Sequence, residues 1–312
     1  VISEARSDHP VLVFGATGRH GNTGEHLVRR LREQGQAVRV LARSLGERTE
    51  RLEELGAEVV VGDLHDRRTL VPALADVDRV FFTYPIDDGI VDAAANYAAA
   101  AGEVGRRPRT VVMSMGPAHP KSPSHLGRAQ WLAEQVLEWA GIDLLILRVV
   151  ALFHENILVL HANSVRDEGM IRNSFGAGRI GWISGCDAAE LGVSALQHPE
   201  RFDAPVANIA GSEDFNHTEI AGLLGDLTGR PVDYRAVTRD DWRDELMALA
   251  HSSRGVVVNN AMAQHISAVG QMVSANGASV VADGDRLCEL IGREPLSLRE
   301  FLGANVACFI HP

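Results

Sequence analysis

The chain has 312 residues, 46% of them apolar and 23% charged, with a formal net charge of -11. That length buries a core without disulfides or a structural metal, and arginines scattered among an excess of carboxylates exclude a surface built for nucleic-acid phosphates. The three cysteines, Cys186, Cys288 and Cys308, form neither a CxxC pair nor a Cys/His set, so no metal site or disulfide framework is expected. A reducing, cytoplasmic setting fits that usage. The segment VISEARSDHP has no apolar signal-peptide core, and the longest apolar stretch, residues 144–153, is short and interrupted by Arg148, so a soluble protein without a membrane span is expected.

In chain order, six near-continuous apolar runs read as strands covered on both faces: VLVF (11–14), VRVL (38–41), EVVV (58–61), RVFFT (79–83), TVVMS (110–114) and LLILRV (144–149). Segments with helical spacing lie between them at 23–34, 47–55, 69–75, 90–104 and 126–139. This is the βα rhythm of an α/β, doubly wound parallel sheet of Rossmann type. After residue 150 the rhythm breaks into helices at 187–197, 217–227, 240–250, 261–273, 285–291 and 297–302, with a strand pair expected near VANIA (206–210) and VDYRAV (232–237). Residues 1–150 thus read as a nucleotide-binding domain. Residues 151–312 read mainly as a smaller α+β substrate-side lobe, with returns to the first sheet allowed.

The loop after the first strand carries Gly15, Thr17, Gly18, Arg19, His20 and Gly21. Glycines between a strand and a helix let a pyrophosphate approach backbone amides at the helix N-terminus. The GxxGxxG spacing alone is weak; strand, loop and helix in the first unit of a βα series strengthen it. The second strand ends Val40-Leu41-Ala42-Arg43-Ser44, where an NAD-binding protein would carry a carboxylate for the ribose hydroxyl. A guanidinium at Arg43 grips a 2′-phosphate instead, which favours NADP(H). Asp63 and Leu64 follow the third strand and can border an adenine; Thr83 and Tyr84 end the fourth, at the carboxyl edge where cofactors lie.

Five ordered blocks, GATGRHGNTG (15–24), EVVVGDL (58–64), SMG (114–116), AEQVLEWAGIDLLILRVVALFHEN (133–156) and GREPLSLREFL (292–302), resemble the NmrA-like atypical short-chain dehydrogenase/reductases. Residues 187–189 (DAA) and TEIAGLLGDLTGRPVDY (218–234) are similar to that family's C-terminal half. The resemblance implies a Rossmann domain with a small C-terminal lobe, NADP(H) in the cleft between them, and a pocket over the nicotinamide lined by Phe153, His154, Glu155 and Asn156. It also exposes a departure. The Tyr and Lys of ordinary short-chain reductases fall on Leu126 and Gln130, neither of which can protonate a carbonyl oxygen in their way.

Hydride transfer then needs other polar groups at the carboxyl edge of the sheet. Candidates are Ser114 at the end of the fifth strand, which could equally be a strand-end cap and also borders the cofactor; Asn156, at a position where the family carries Asn; His125, with His119, in the loop PAHPKSPSH; Tyr84; and, less favoured, His154. No GxSxG elbow, HExxH or other ligand cluster points to hydrolysis or metal catalysis. The expected function is NADPH-dependent reduction of a small or medium organic substrate, a ketone, quinone or activated alkene. The alternative is a non-catalytic NADP(H)-binding redox sensor. Self-association into a homo-oligomer is left open.

Overall fold

The computed structural model describes residues 9–18, 21–252 and 257–311. Its first half alternates β1 (Val11–Val13), α1 (Thr23–Glu33), β2 (Val38–Ala42), α2 (Glu47–Glu54), β3 (Glu58–Val61), α3 (Arg67–Ala73), β4 (Arg79–Phe82), α4 (Ile90–Glu103), β5 (Arg109–Met115), α5 (His125–Trp139) and β6 (Leu144–Val149). The second half holds β7 (Ala151–Phe153), α6 (Glu155–Glu168), β8 (Met170–Asn173), β9 (Ile180–Ile183), α7 (Gly185–Gln197), β10 (Val206–Ile209), β11 (Glu213–Phe215), α8 (His217–Thr228) and β12 (Asp233–Ala236). It ends with α9 (Arg239–Ala250), α10 (Asn260–Asn276), α11 (Gly284–Ile291) and α12 (Leu298–Ala304).

The main sheet has seven strands in the order β3-β2-β1-β4-β5-β6-β10, and every pairing in it is parallel. The period-2 alternation of β1 divides its burial between two faces. Val11 and Val13 pack with Leu27 and Leu31 of α1 and Leu191 of α7, while Leu12 and the following Phe14 pack with Leu70, Ala93, Tyr97 and Leu137 of α3, α4 and α5. The order reverses between β1 and β4, the switch point outside whose carboxyl ends a crevice opens. A third apolar cluster, with Trp182, Ile220, Trp242, Ile266 and Phe301, forms the core of the C-terminal lobe. No helix among the described residues is long and apolar enough to cross a membrane.

The expected pairing of residues 206–210 with 232–237 does not occur. β10 runs parallel to β6 as the seventh strand of the main sheet, and β12 pairs in parallel with β8. β7, β9 and β11 form a separate three-stranded sheet. These three- and four-residue strands owe their conformation to tertiary partners, so local periodicity gives little sign of them. The chain also crosses back: α7 lies against α1 on the main sheet, and α11 packs on the same face through Leu287 and Leu290. Two distant sequence blocks meet there. Asp187 of α7, fully buried, pairs with Arg293 at 2.7 Å and accepts from Leu296 N–H at 3.0 Å.

Candidate active site

The phosphate loop begins where Phe14 N–H donates to Phe81 O (2.9 Å), holding the end of β1 to β4. Gly15 then turns with φ +75°, and a Cβ there would lie 2.6 Å from Thr83 Cγ2 and 2.8 Å from Thr83 O. Only glycine satisfies both the left-handed backbone and that approach. α1 starts without a side-chain cap, and its N-cap residue Asn22 is itself left-handed (φ 51°). By contrast α5, α7 and α8 are capped by Ser124, Ser184 and Asn216. The Thr23 hydroxyl, buried at the α1 N-terminus, has no hydrogen-bond partner. Uncapped amides, the helix dipole and an orphan hydroxyl together suit an anion. Arg19 and His20 lie outside the described residues.

Gly15, Thr17, Gly18, Thr23, Arg43, Ser44, Arg48, Asp63, Leu64, Thr83 and Tyr84 line one side of a cleft of about 1000 Å³. Gly21 is not in its wall. Arg43 is exposed and makes no hydrogen bond or ion pair with a described residue. Arg48, which the sequence pattern did not single out, donates to Thr17 O at 2.8 Å and puts a second guanidinium on the loop. Tyr84 borders the cleft with its hydroxyl already engaged, donating to Asp88 O at 3.0 Å and lying 2.7 Å from His65 Nε2. Burial, then the nearby Asp87 carboxylate, raises its phenol pKa, so it holds its proton.

Ser114, at the carboxyl end of β5, also lines the cleft, but its hydroxyl donates to the buried Glu134 carboxylate of α5. The same carboxylate binds Arg148 of β6. Ser114 therefore offers a ligand an acceptor and no free proton, which corrects the expectation that it donates to a substrate oxygen. Asn156 lines the cleft near the start of α6, buried and with Oδ1 unpartnered. Its neighbours differ. His154 is 0% exposed against Phe301 (5.3 Å between ring centroids), with neither ring nitrogen hydrogen-bonded, and burial pushes its pKa down to about 3. Glu155 faces away to accept from Gly185 N–H at 3.1 Å. His125 is an exposed residue near Asp88 (4.0 Å) and is not in the cleft wall; His119 is exposed as well. The proline-containing loop and the first turn of α5 turn His119 and His125 outward, a placement that spacing does not encode.

The opposite wall comes from α10, through Met262, His265, Ile266, Val269 and Met272. The cleft thus runs without a break from the uncapped helix to an apolar surface. The sequence matches the NmrA-like family across residues 7–301. The chain belongs to that family. It is 28% identical over 301 residues to an NAD(P)H azoreductase of Xenophilus azovorans, covering 96% of this chain and 99% of that one. It is 31% identical to the (4-alkanoyl-5-oxo-2,5-dihydrofuran-3-yl)methyl phosphate reductase of Streptomyces griseus, over 76% of this chain and 80% of the relative. Its fold is like that of an NADPH-dependent quinone oxidoreductase from Escherichia coli solved with NADPH (TM-score 0.77, 22% identity, 95% and 99% of the two chains).

Within this NmrA-like chain, Leu126 is buried in α5 and Gln130, also buried, turns to the cleft. Thr23, Arg48 and His265 are the cleft-lining residues that sequence reasoning missed, and Gln130 was named only as the residue at the family's Lys position. Thr23 had a signal, since it opens the helix after the glycine loop; His265 had none.

Glu155 adds a pH dependence. Burial, partly offset by the backbone amides it accepts from, pushes its carboxyl up from an ordinary 4.5 to about 7. The folded chain then binds a proton that the unfolded chain releases, so this contribution is complete below pH 4.5 and is lost as pH rises to about 7. Glu155→Gln is expected to flatten the decline of Tm between pH 5 and 8 and to raise stability at pH 8 by on the order of 2 kcal/mol. Parallel melting curves for the two proteins across that range would count against this assignment.

Proposed function

We propose that the chain is an NADP(H)-dependent oxidoreductase that reduces a conjugated, mainly apolar small molecule: a quinone, ketone, activated alkene or azo compound. The observation that carries the reading is the single cleft joining an uncapped helix N-terminus and two guanidinium groups to the apolar face of α10. The residues fit the cofactor. The α1 amides and Thr23 Oγ1 bind the pyrophosphate, Arg43 and Arg48 hold the 2′-phosphate, and the backbone at Thr83 with Ser114 flanks the far end. Asn156 Oδ1 accepts from a carboxamide N–H and so orients the ring. When bound, the reduced nicotinamide supplies the hydride. Met262, Ile266 and Val269 exclude water and press a flat substrate toward the sheet edge. The azoreductase and furanyl phosphate reductase relatives favour a reductase over a sensor.

The test is a thermal-shift titration with NADPH, NADP+, NADH and NAD+, followed by a quinone, azo and ketone panel read as NADPH absorbance. Stabilisation by the phosphorylated cofactors and substrate-dependent oxidation are expected; stabilisation by none of the four nucleotides would overturn the proposal. Asn156→Ala is expected to lower kcat by about tenfold, because a tilted ring loses alignment, while the Kd for NADPH rises by less than about fivefold for one neutral hydrogen bond. Unchanged kcat would remove Asn156 from the site.

A further inference from the structure

We propose that Gln130 and His265 are the oxygen-holding and proton-donating pair of this cleft, in place of the Tyr and Lys that the chain lacks. The proposal rests on the oxidoreductase reading and adds its acid. Gln130, on α5, is 4% exposed, lines the cleft and makes no hydrogen bond with a described residue. Its amide is uncommitted to the protein and faces the cleft, where a ligand heteroatom can take the place of water. His265, on α10, is 8% exposed and lines the same cleft. Its Nδ1 lies 2.6 Å from Ser124 Oγ, the cap of α5, which also accepts from Gly127 N–H at 3.2 Å.

That serine serves both protonation states. Its oxygen accepts from Nδ1–H both in the imidazolium and in the neutral ring left when Nε2 gives up its proton, so the ring keeps one orientation while Nε2 gains or loses a proton. Ser124 and Gln130 stand on one helix, about 9 Å apart along its axis, so α5 sets both groups. The competing donors are spent or absent. The Ser114 hydroxyl donates to Glu134, the Tyr84 hydroxyl is engaged at Asp88, His65 in the cleft wall has its Nε2 held 2.7 Å from that tyrosine oxygen, His154 is sealed in the core and His125 lies outside the cleft. Among the described cleft-lining side chains of α5 and α10, His265 alone carries an ionisable group.

In the step this implies, the substrate accepts a hydride with its electron pair from the reduced nicotinamide at the electrophilic end of a conjugated C=O, C=C or N=N group. The π bond breaks, and its pair moves to a heteroatom held by the Gln130 amide N–H. The Nε2–H bond of protonated His265 breaks and delivers the proton there. His265 is reprotonated from solvent, giving substrate + NADPH + H+ → dihydro product + NADP+.

The experiment uses Gln130→Leu and His265→Asn, the latter keeping an amide within reach of Ser124, with His265→Phe read in its place should the Asn variant melt early. Two measurements are made on each: kcat with NADPH and the best quinone or azo substrate, and calorimetric affinity of the NADP+-loaded protein for 4-nitrophenol, a probe of the oxygen site that needs no turnover. Expected are a fall in kcat of about 100-fold at His265 and about tenfold at Gln130, within the range for a lost general acid and a lost hydrogen bond. Probe affinity falls about tenfold in both, and the NADPH Kd moves less than threefold. Probe affinity within twofold of the parent in both variants overturns the pair, and unchanged kcat at His265 overturns the acid. An inactive parent whose probe binding still depends on both residues sinks the oxidoreductase reading and leaves the oxygen site standing.

Discussion

Replacing Arg43 by Asp is expected to weaken NADPH binding about 100-fold while leaving NADH within about threefold, which inverts the cofactor preference. The side chain stands exposed past the end of β2, lines the cleft and makes no hydrogen bond or ion pair with a described residue, so the change is expected to leave the fold intact. One substitution removes a charge-assisted, forked contact to a 2′-phosphate and adds a carboxylate that repels it; the same carboxylate can accept from the 2′-hydroxyl of NADH. Direct fluorescence titration of both nucleotides at low and at 0.3 M salt reads the result. NADPH affinity in the parent should fall with salt more steeply than NADH affinity, and the variant should lose most of that difference. Equal losses for both nucleotides would mean that Arg43 does not face the 2′-phosphate and would pass that role to Arg48, anchored on Thr17 O.

Glu134→Ala is expected to cost about 3–5 kcal/mol and to lower Tm by on the order of 5–10 °C, the largest stability effect at the site. Glu134 is 1% exposed, and its two oxygens serve Arg148 on β6 and Ser114 on β5. Truncation strands a guanidinium on β6 that is only 23% exposed. Breaking one side of a buried pair is far costlier than never having had it, because the remaining charge is desolvated and uncompensated. Glu134→Gln keeps a carbonyl oxygen that accepts from Arg148 and an amide N–H that donates to Ser114 Oγ, and should lose less than half as much. Calorimetric melts of the three proteins decide it. Equal Tm values for parent and Ala variant would show that the network contributes orientation alone, and in that case kcat rather than Tm should respond, since Ser114 would be free to rotate into the cleft.

A good part of the architecture was legible in particular residues. The run VLVF announced β1 because it is buried on both faces, and the repeated alternation of such runs with helical spacing announced α/β layers before any contact was known. Arg43 drew attention because it stands after β2 where an NAD-binding protein would carry a carboxylate, and it lines the cleft. The carboxyl-edge rule brought Gly15, Thr17, Gly18, Asp63, Leu64, Thr83, Tyr84, Ser114 and Asn156 to one cleft wall, while His125 obeyed the rule in sequence and left the site in space.

By itself, then, the sequence determined what depends on neighbours along the chain: six strands with five helices between them, the turn at Gly15 whose left-handed backbone requires glycine, and the cation after β2. Tertiary structure alone decided that VANI joins the main sheet as its seventh strand beside β6, that the Ser114 proton is committed to Glu134, and that His265 meets Ser124 across 141 residues to face the cleft. The physical reason is the range of the forces involved. Periodicity and turn chemistry are local, whereas strand partners and the direction of a hydroxyl proton are set by groups that only folding brings within hydrogen-bond distance.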